Sequence, residues 1–161
     1  MSEPTRAYWV LPLTFFLALT LMAFPLDRPL SWYRPEWVLL VMVYWAIALP
    51  HRVGLVTALA LGLLLDVLKG AAIGQSMLSF AIVVTLARLM YQRLRVFSLL
   101  QQSGVLFLMV GVHQLIAQWV LGLQGAHSPG FAFLLPALTS ALIWPLVFVF
   151  LRALRRSQGV R

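Results

Sequence analysis

Acidic side chains are nearly absent: four Asp and Glu stand among 161 residues, and charged residues of both signs make up 10% of the chain. So little charge beside 62% hydrophobic residues excludes an ordinary soluble domain. Cysteine is missing altogether, which removes disulfides, thiol nucleophiles and thiolate metal sites. No unit of about 20–50 residues repeats, so a solenoid or array is excluded as well.

What remains is a succession of apolar runs, expected to form one multi-pass membrane domain over 1–161. Six segments can be counted, at about 7–25, 36–49, 53–68, 76–91, 99–121 and 131–151. The fold class they imply is an all-α integral membrane protein, a bundle of six transmembrane helices. The third run is 16 residues long, ~24 Å as a helix against a ~30 Å hydrocarbon core, so it is expected to extend into its flanking loops. Phe24, Pro25 and Asp27 follow the first run where a signal-peptidase site would need small residues, so that run reads as a retained anchor.

Twelve Lys and Arg give a net charge of +8, and most of them flank the apolar runs. That is the topogenic pattern, which also suits anionic lipid headgroups, and it does not imply nucleic acid. With six spans, one side collects nine basic residues: Arg6, Arg52, Arg88, Arg93, Arg95, Arg152, Arg155, Arg156 and Arg161. The other side holds three, Arg28, Arg34 and Lys69, which places both termini and the basic tail 152–161 in the cytoplasm. Tyr8, Trp9, Trp32, Tyr33, Trp37, Tyr91 and Trp119 fall near span ends as interfacial anchors, whereas Trp45 and Trp144 fall deeper. Pro12, Pro136 and Pro145 are expected to kink their helices.

Asp66 interrupts the apolar stretch "GLLLDVLKGAAIG". Gly54, Ala58, Gly62, Asp66, Gly70 and Gly74 recur every four residues. Each step of four drifts only about 40° around a helix, so Gly54 to Asp66 forms one small-residue face for close approach, either to another span or to a partner helix. An ionised Asp66 must avoid lipid. Lys69, three residues on, can pair with it, and a polar contact to a partner helix or a proton or ligand site are the alternatives. The fifth span carries the polar residues His113, Gln114 and Gln118, and the two amides, at i and i+4, are expected to meet Asp66. No metal site is assigned, because His113 has no second His or carboxylate at ligand spacing. Catalysis is disfavoured too: Ser76 follows Gly74-Gln75, yet Met77 stands where a nucleophile elbow would need glycine.

The segments "LGLLLDVLKGAAIGQSMLSF", "YQRLRVFSLLQQ" and "LLPALTSALIWPLVFVFLRALRRS", in that order, resemble the rod shape-determining family MreD over nearly the whole chain. Asp66, Gly70 and Gly74 and the pair Trp144-Pro145 carry the resemblance, and Lys69 departs from the family pattern. The resemblance implies a non-catalytic, cofactor-free component of the bacterial inner-membrane elongation machinery that supports lateral peptidoglycan synthesis. Its implied partners are MreC and, through it, MreB, RodA and a penicillin-binding transpeptidase. The family is also similar in fold to substrate-binding subunits of energy-coupling-factor transporters, so the alternative function is small-molecule transport.

Overall fold

The structure, a computed structural model, describes residues 9–27, 30–126 and 130–159. Of the residues discussed above, Arg6, Tyr8, Arg28 and Arg161 lie outside them. Six α-helices follow one another: α1 Val10–Ala23, α2 Trp37–Ala48, α3 Leu55–Lys69, α4 Gln75–Val96, α5 Leu99–Leu123 and α6 Leu135–Ser157. The described residues contain no strand. Apolar side chains such as Phe16, Val56, Leu89, Leu108, Leu142 and Phe150 face outward, while Glu36, Asp66, Ser79, Gln102, His113 and Ser140 are buried. Polar inside and apolar outside is the arrangement lipid demands.

α4, α5 and the stretch from Ala132 to Ser157 are long and apolar enough to cross a membrane. By contrast α2, with 12 residues, is only ~18 Å long, and its residues Val38 to Ile47 are all buried. A helix apolar on every side belongs in the middle of a bundle, and α2 packs against α1, α4 and α6. Because protein rather than lipid surrounds it, its ends need not reach the headgroups; they must be satisfied internally. At its C-terminal end Arg95 does so, donating from Nε to the Ile47 carbonyl and from Nη2 to the Ala48 carbonyl, both at 3.0 Å.

Several boundaries differ from the sequence expectation. α4 continues through Arg93 and Arg95, and α6 through Arg152, Arg155 and Arg156, since basic residues complement the carbonyl end of a helix. Pro12 and Pro136 do not interrupt their helices: both lie in a first turn, where proline removes no intrahelical bond, and only Pro145 is interior. α5 opens on a capping box, with Ser98 Oγ accepting from the Gln101 amide and the Gln101 side chain accepting from the Ser98 amide. Trp45 and Trp144 are fully buried, and each indole N–H finds a partner, Thr14 Oγ1 at 2.9 Å and Gln102 Oε1 at 3.1 Å.

Candidate functional site

The turn between α3 and α4 accounts for the Asp66 pattern. Gly70 (φ 63°) and Gly74 (φ 104°) both adopt left-handed backbone that residues with a Cβ rarely enter, so they reverse the chain in a few residues. That reversal brings the first turn of α4 back to Asp66. Its carboxylate accepts from the Gly74 amide at 3.1 Å and from the Ser76 amide at 3.0 and 3.1 Å. Asp66 therefore caps the N-terminus of the next helix from across the turn, satisfying orphan donors and meeting the positive end of the helix dipole.

The small-residue face of α3 is filled by α4 of the same chain. A methyl added at Gly62 would stand 2.6 Å from Met77 N and Cα and 2.8 Å from Ser76 C. Ala58 is fully buried, and a methyl at Gly54 would meet the Arg88 guanidinium at 3.2 Å. Gly70 and Gly74, although in step with this series, serve the turn rather than the packed face.

Lys69 does not pair with Asp66. Its Nζ lies 3.8 Å from Glu36 Oε2, and His113 Nε2 lies 3.7 Å from the same oxygen. Gln114 donates to Glu36 Oε1 at 2.8 Å, and the Glu36 backbone N–H donates to Ser140 Oγ at 3.0 Å. The expected contact of the Gln114 amide with Asp66 is thus corrected: Gln114 turns to Glu36, and backbone amides serve Asp66. Glu36, which sequence reasoning passed over, is the hub. It joins α2 to α3, α5 and α6, and Ser79 of α4 completes the circuit through His113 at 2.6 Å.

A serine, a histidine and a glutamate in contact invite comparison with a hydrolase triad. Ser79 Oγ lies 3.1 Å from the Ser76 carbonyl and 2.6 Å from His113 Nδ1, and both side chains are buried, Ser79 at 0% and His113 at 2% exposure. The third contact of a triad is missing, since the 3.7 Å from Nε2 to Glu36 exceeds a hydrogen bond, and burial keeps a substrate from the hydroxyl. Chemically the cluster is a clamp: ion pairs and hydrogen bonds that hold one end of five helices together. Among the described residues no group of three or more His, Asp or Glu could hold a metal ion.

Comparison with known proteins adds an independent finding. Residues 4–154 match the family model for rod shape-determining protein MreD. The chain is 31% identical over 151 residues to rod shape-determining protein MreD of Haemophilus influenzae, covering 92% of each chain. No solved structure matches.

Proposed function

Since the chain belongs to the MreD family of rod shape-determining membrane proteins, we propose that it is a non-catalytic subunit of the bacterial elongation complex. In this reading it sits in the inner membrane with both termini cytoplasmic, binds the single transmembrane helix of MreC, and through MreC works with MreB, RodA and a penicillin-binding transpeptidase in lateral peptidoglycan synthesis. The observation that carries it is the family match over almost the whole chain. The geometry supports a scaffold in particular, because Glu36, Lys69, His113, Gln114 and Asp66 bridge helices of this chain. Glu36 accepts from Gln114 through Oε1 and holds Lys69 and His113 at ion-pair distance from Oε2, which has no hydrogen-bond partner among the described residues, and Asp66 accepts from backbone amides. A solute site would need several convergent polar groups left over, whereas this cluster leaves one oxygen, Glu36 Oε2, without a hydrogen bond, which weighs against the transport alternative. With α4 covering the Gly62 face, a partner helix meets the lipid-facing surface instead.

The test is affinity purification of the full chain from native membranes in mild detergent, followed by mass spectrometry. MreC and wall-synthesis enzymes in stoichiometric amounts are the expected outcome. An ATPase module or a bound small molecule at near-equal stoichiometry would overturn the scaffold reading in favour of transport.

A further inference from the structure

At the arginine-rich end of the bundle, α2, α4, α5 and α6 enclose a cavity of about 390 Å³ lined by Tyr44, Ile47, Arg95, Gln102, Phe148, Arg152 and Arg155 among others. We propose that this cavity is an anion site that takes a phosphate group, as carried by an anionic lipid headgroup or a free phosphate. The inference is independent of the family reading.

Three arginines line one cavity with no Asp or Glu among its lining residues. Among the described residues the acidic side chains are Asp27, Glu36 and Asp66, which belong to the loops and helix ends at the other end of α2. Like charges gathered beside low-dielectric walls repel one another unless an anion joins them. Guanidinium is also the group whose paired N–H donors match phosphate oxygens.

The second observation is Tyr44. Its residue is 2% exposed, it lines the cavity, and its hydroxyl has no hydrogen-bond partner among the described residues. A buried hydroxyl without a partner costs about 1–3 kcal/mol, so its retention on a cavity wall calls for an acceptor that enters the cavity. The ring is fixed for that task. It meets Trp45 and Phe148 edge-on at 5.2 and 5.6 Å between centroids, and the Arg155 guanidinium stands over its face at 6.0 Å.

Arg95 has a distinct part. The carbonyl end of α2 would repel an anion, but Arg95 covers the Ile47 and Ala48 carbonyls and turns that wall positive. Gln102 is occupied structurally, donating to the Leu94 carbonyl and accepting from Trp144, and is not assigned to the anion. Ile47 and Phe148 add an apolar wall that suits the glycerol and first acyl carbons of a lipid.

The full chain would be reconstituted in nanodiscs of phosphatidylcholine alone or mixed with phosphatidylglycerol, and retained lipid read by native mass spectrometry. A parallel titration of inorganic phosphate into the phosphatidylcholine sample distinguishes the two sources. Selective retention of phosphatidylglycerol assigns a headgroup; saturable binding of phosphate alone assigns a free phosphate. In either arm Arg152→Gln with Arg155→Gln should weaken binding at least about tenfold, and Tyr44→Phe about fivefold. Arg93→Gln, an exposed charge near the same end but outside the cavity, should leave it unchanged. Binding in neither arm, or an equal loss in Arg93→Gln, overturns the proposal. If the double arginine variant fails to fold, Tyr44→Phe decides: it removes a single oxygen, and unchanged binding in that variant also overturns the site.

Discussion

Replacing Gly62 with alanine tests the packing argument at its tightest point. The added methyl would lie 2.6 Å from two backbone atoms of Met77, well inside contact distance, and backbone cannot swing aside as a side-chain end can. α3 and α4 must separate by several tenths of an ångström, an overpacking strain of about 1–3 kcal/mol. The same displacement stretches the Asp66 to Ser76 hydrogen bonds, now 3.0 and 3.1 Å, and weakening a charge-assisted bond adds about 1 kcal/mol. Less the roughly 1 kcal/mol that alanine gains over glycine inside α3, the net loss is about 1–3 kcal/mol, or a melting temperature lower by roughly 2–12 °C for a chain of this size. Thermal unfolding in one detergent, followed by tryptophan fluorescence, reads it directly. Gly111→Ala is the control, since a methyl there meets nothing within 4 Å and replaces a mid-helix glycine of α5. It should be neutral or stabilising by up to about 1 kcal/mol. If both variants melt together with the wild type, the close approach of α3 and α4 is wrong.

Asp66→Asn should destabilise by about 1–2 kcal/mol, because the amide offers one acceptor and turns a donor toward backbone N–H groups; hydrogen exchange at 70–76 should quicken, and unchanged protection would refute the cap. For the clamp, Glu36→Gln and Lys69→Met should couple by about 1 kcal/mol in a double-mutant cycle, a modest figure since the Lys69 side chain is 37% exposed; zero coupling would dissolve the pair. Ser79→Ala should lower stability by about 1 kcal/mol yet still restore rod shape in a strain lacking the native protein, whereas loss of shape without loss of stability would reinstate a chemical role. The absence of cysteine makes topology directly measurable: a lone cysteine at Ser157 should react with an impermeant maleimide only after the inner membrane is opened, and labelling of intact spheroplasts would invert the orientation.

The six helices were legible because lipid imposes long apolar runs and leaves polar residues as punctuation. The Asp66, Gly70, Gly74 series was legible as a pattern but not as two jobs, since a step of four suggests a continuous helix face while the backbone breaks at Gly70. Lys69 illustrates a different limit. Its nearest acid in sequence is three residues away, yet it reaches Glu36 in another helix, and periodicity names a face without naming what lies opposite. Glu36 itself carried a signal: one of only four acids, placed directly before the unbroken apolar run "WVLLVMVYWAIA". The reasoning that singled out Asp66 applies equally to it. The convergence of Arg95, Arg152 and Arg155 was not legible, because it required the ends of α4 and α6 to be placed in space.

Why should the shortest helix stand at the centre of the bundle? A 12-residue α2 cannot anchor itself at either headgroup layer, so its position depends on what grips its two ends. One grip is the Glu36 cluster, reaching α3, α5 and α6; the other is Arg95 of α4 on the terminal carbonyls. Sliding α2 along its axis would break both at once, exposing a carboxylate at one end and bare carbonyls at the other in a medium that cannot solvate them. The outer helices are thereby locked to a common core through polar contacts that lipid cannot replace. Outward-facing apolar residues can then vary or receive a neighbour without disturbing that core, which is the property the proposed scaffold role requires.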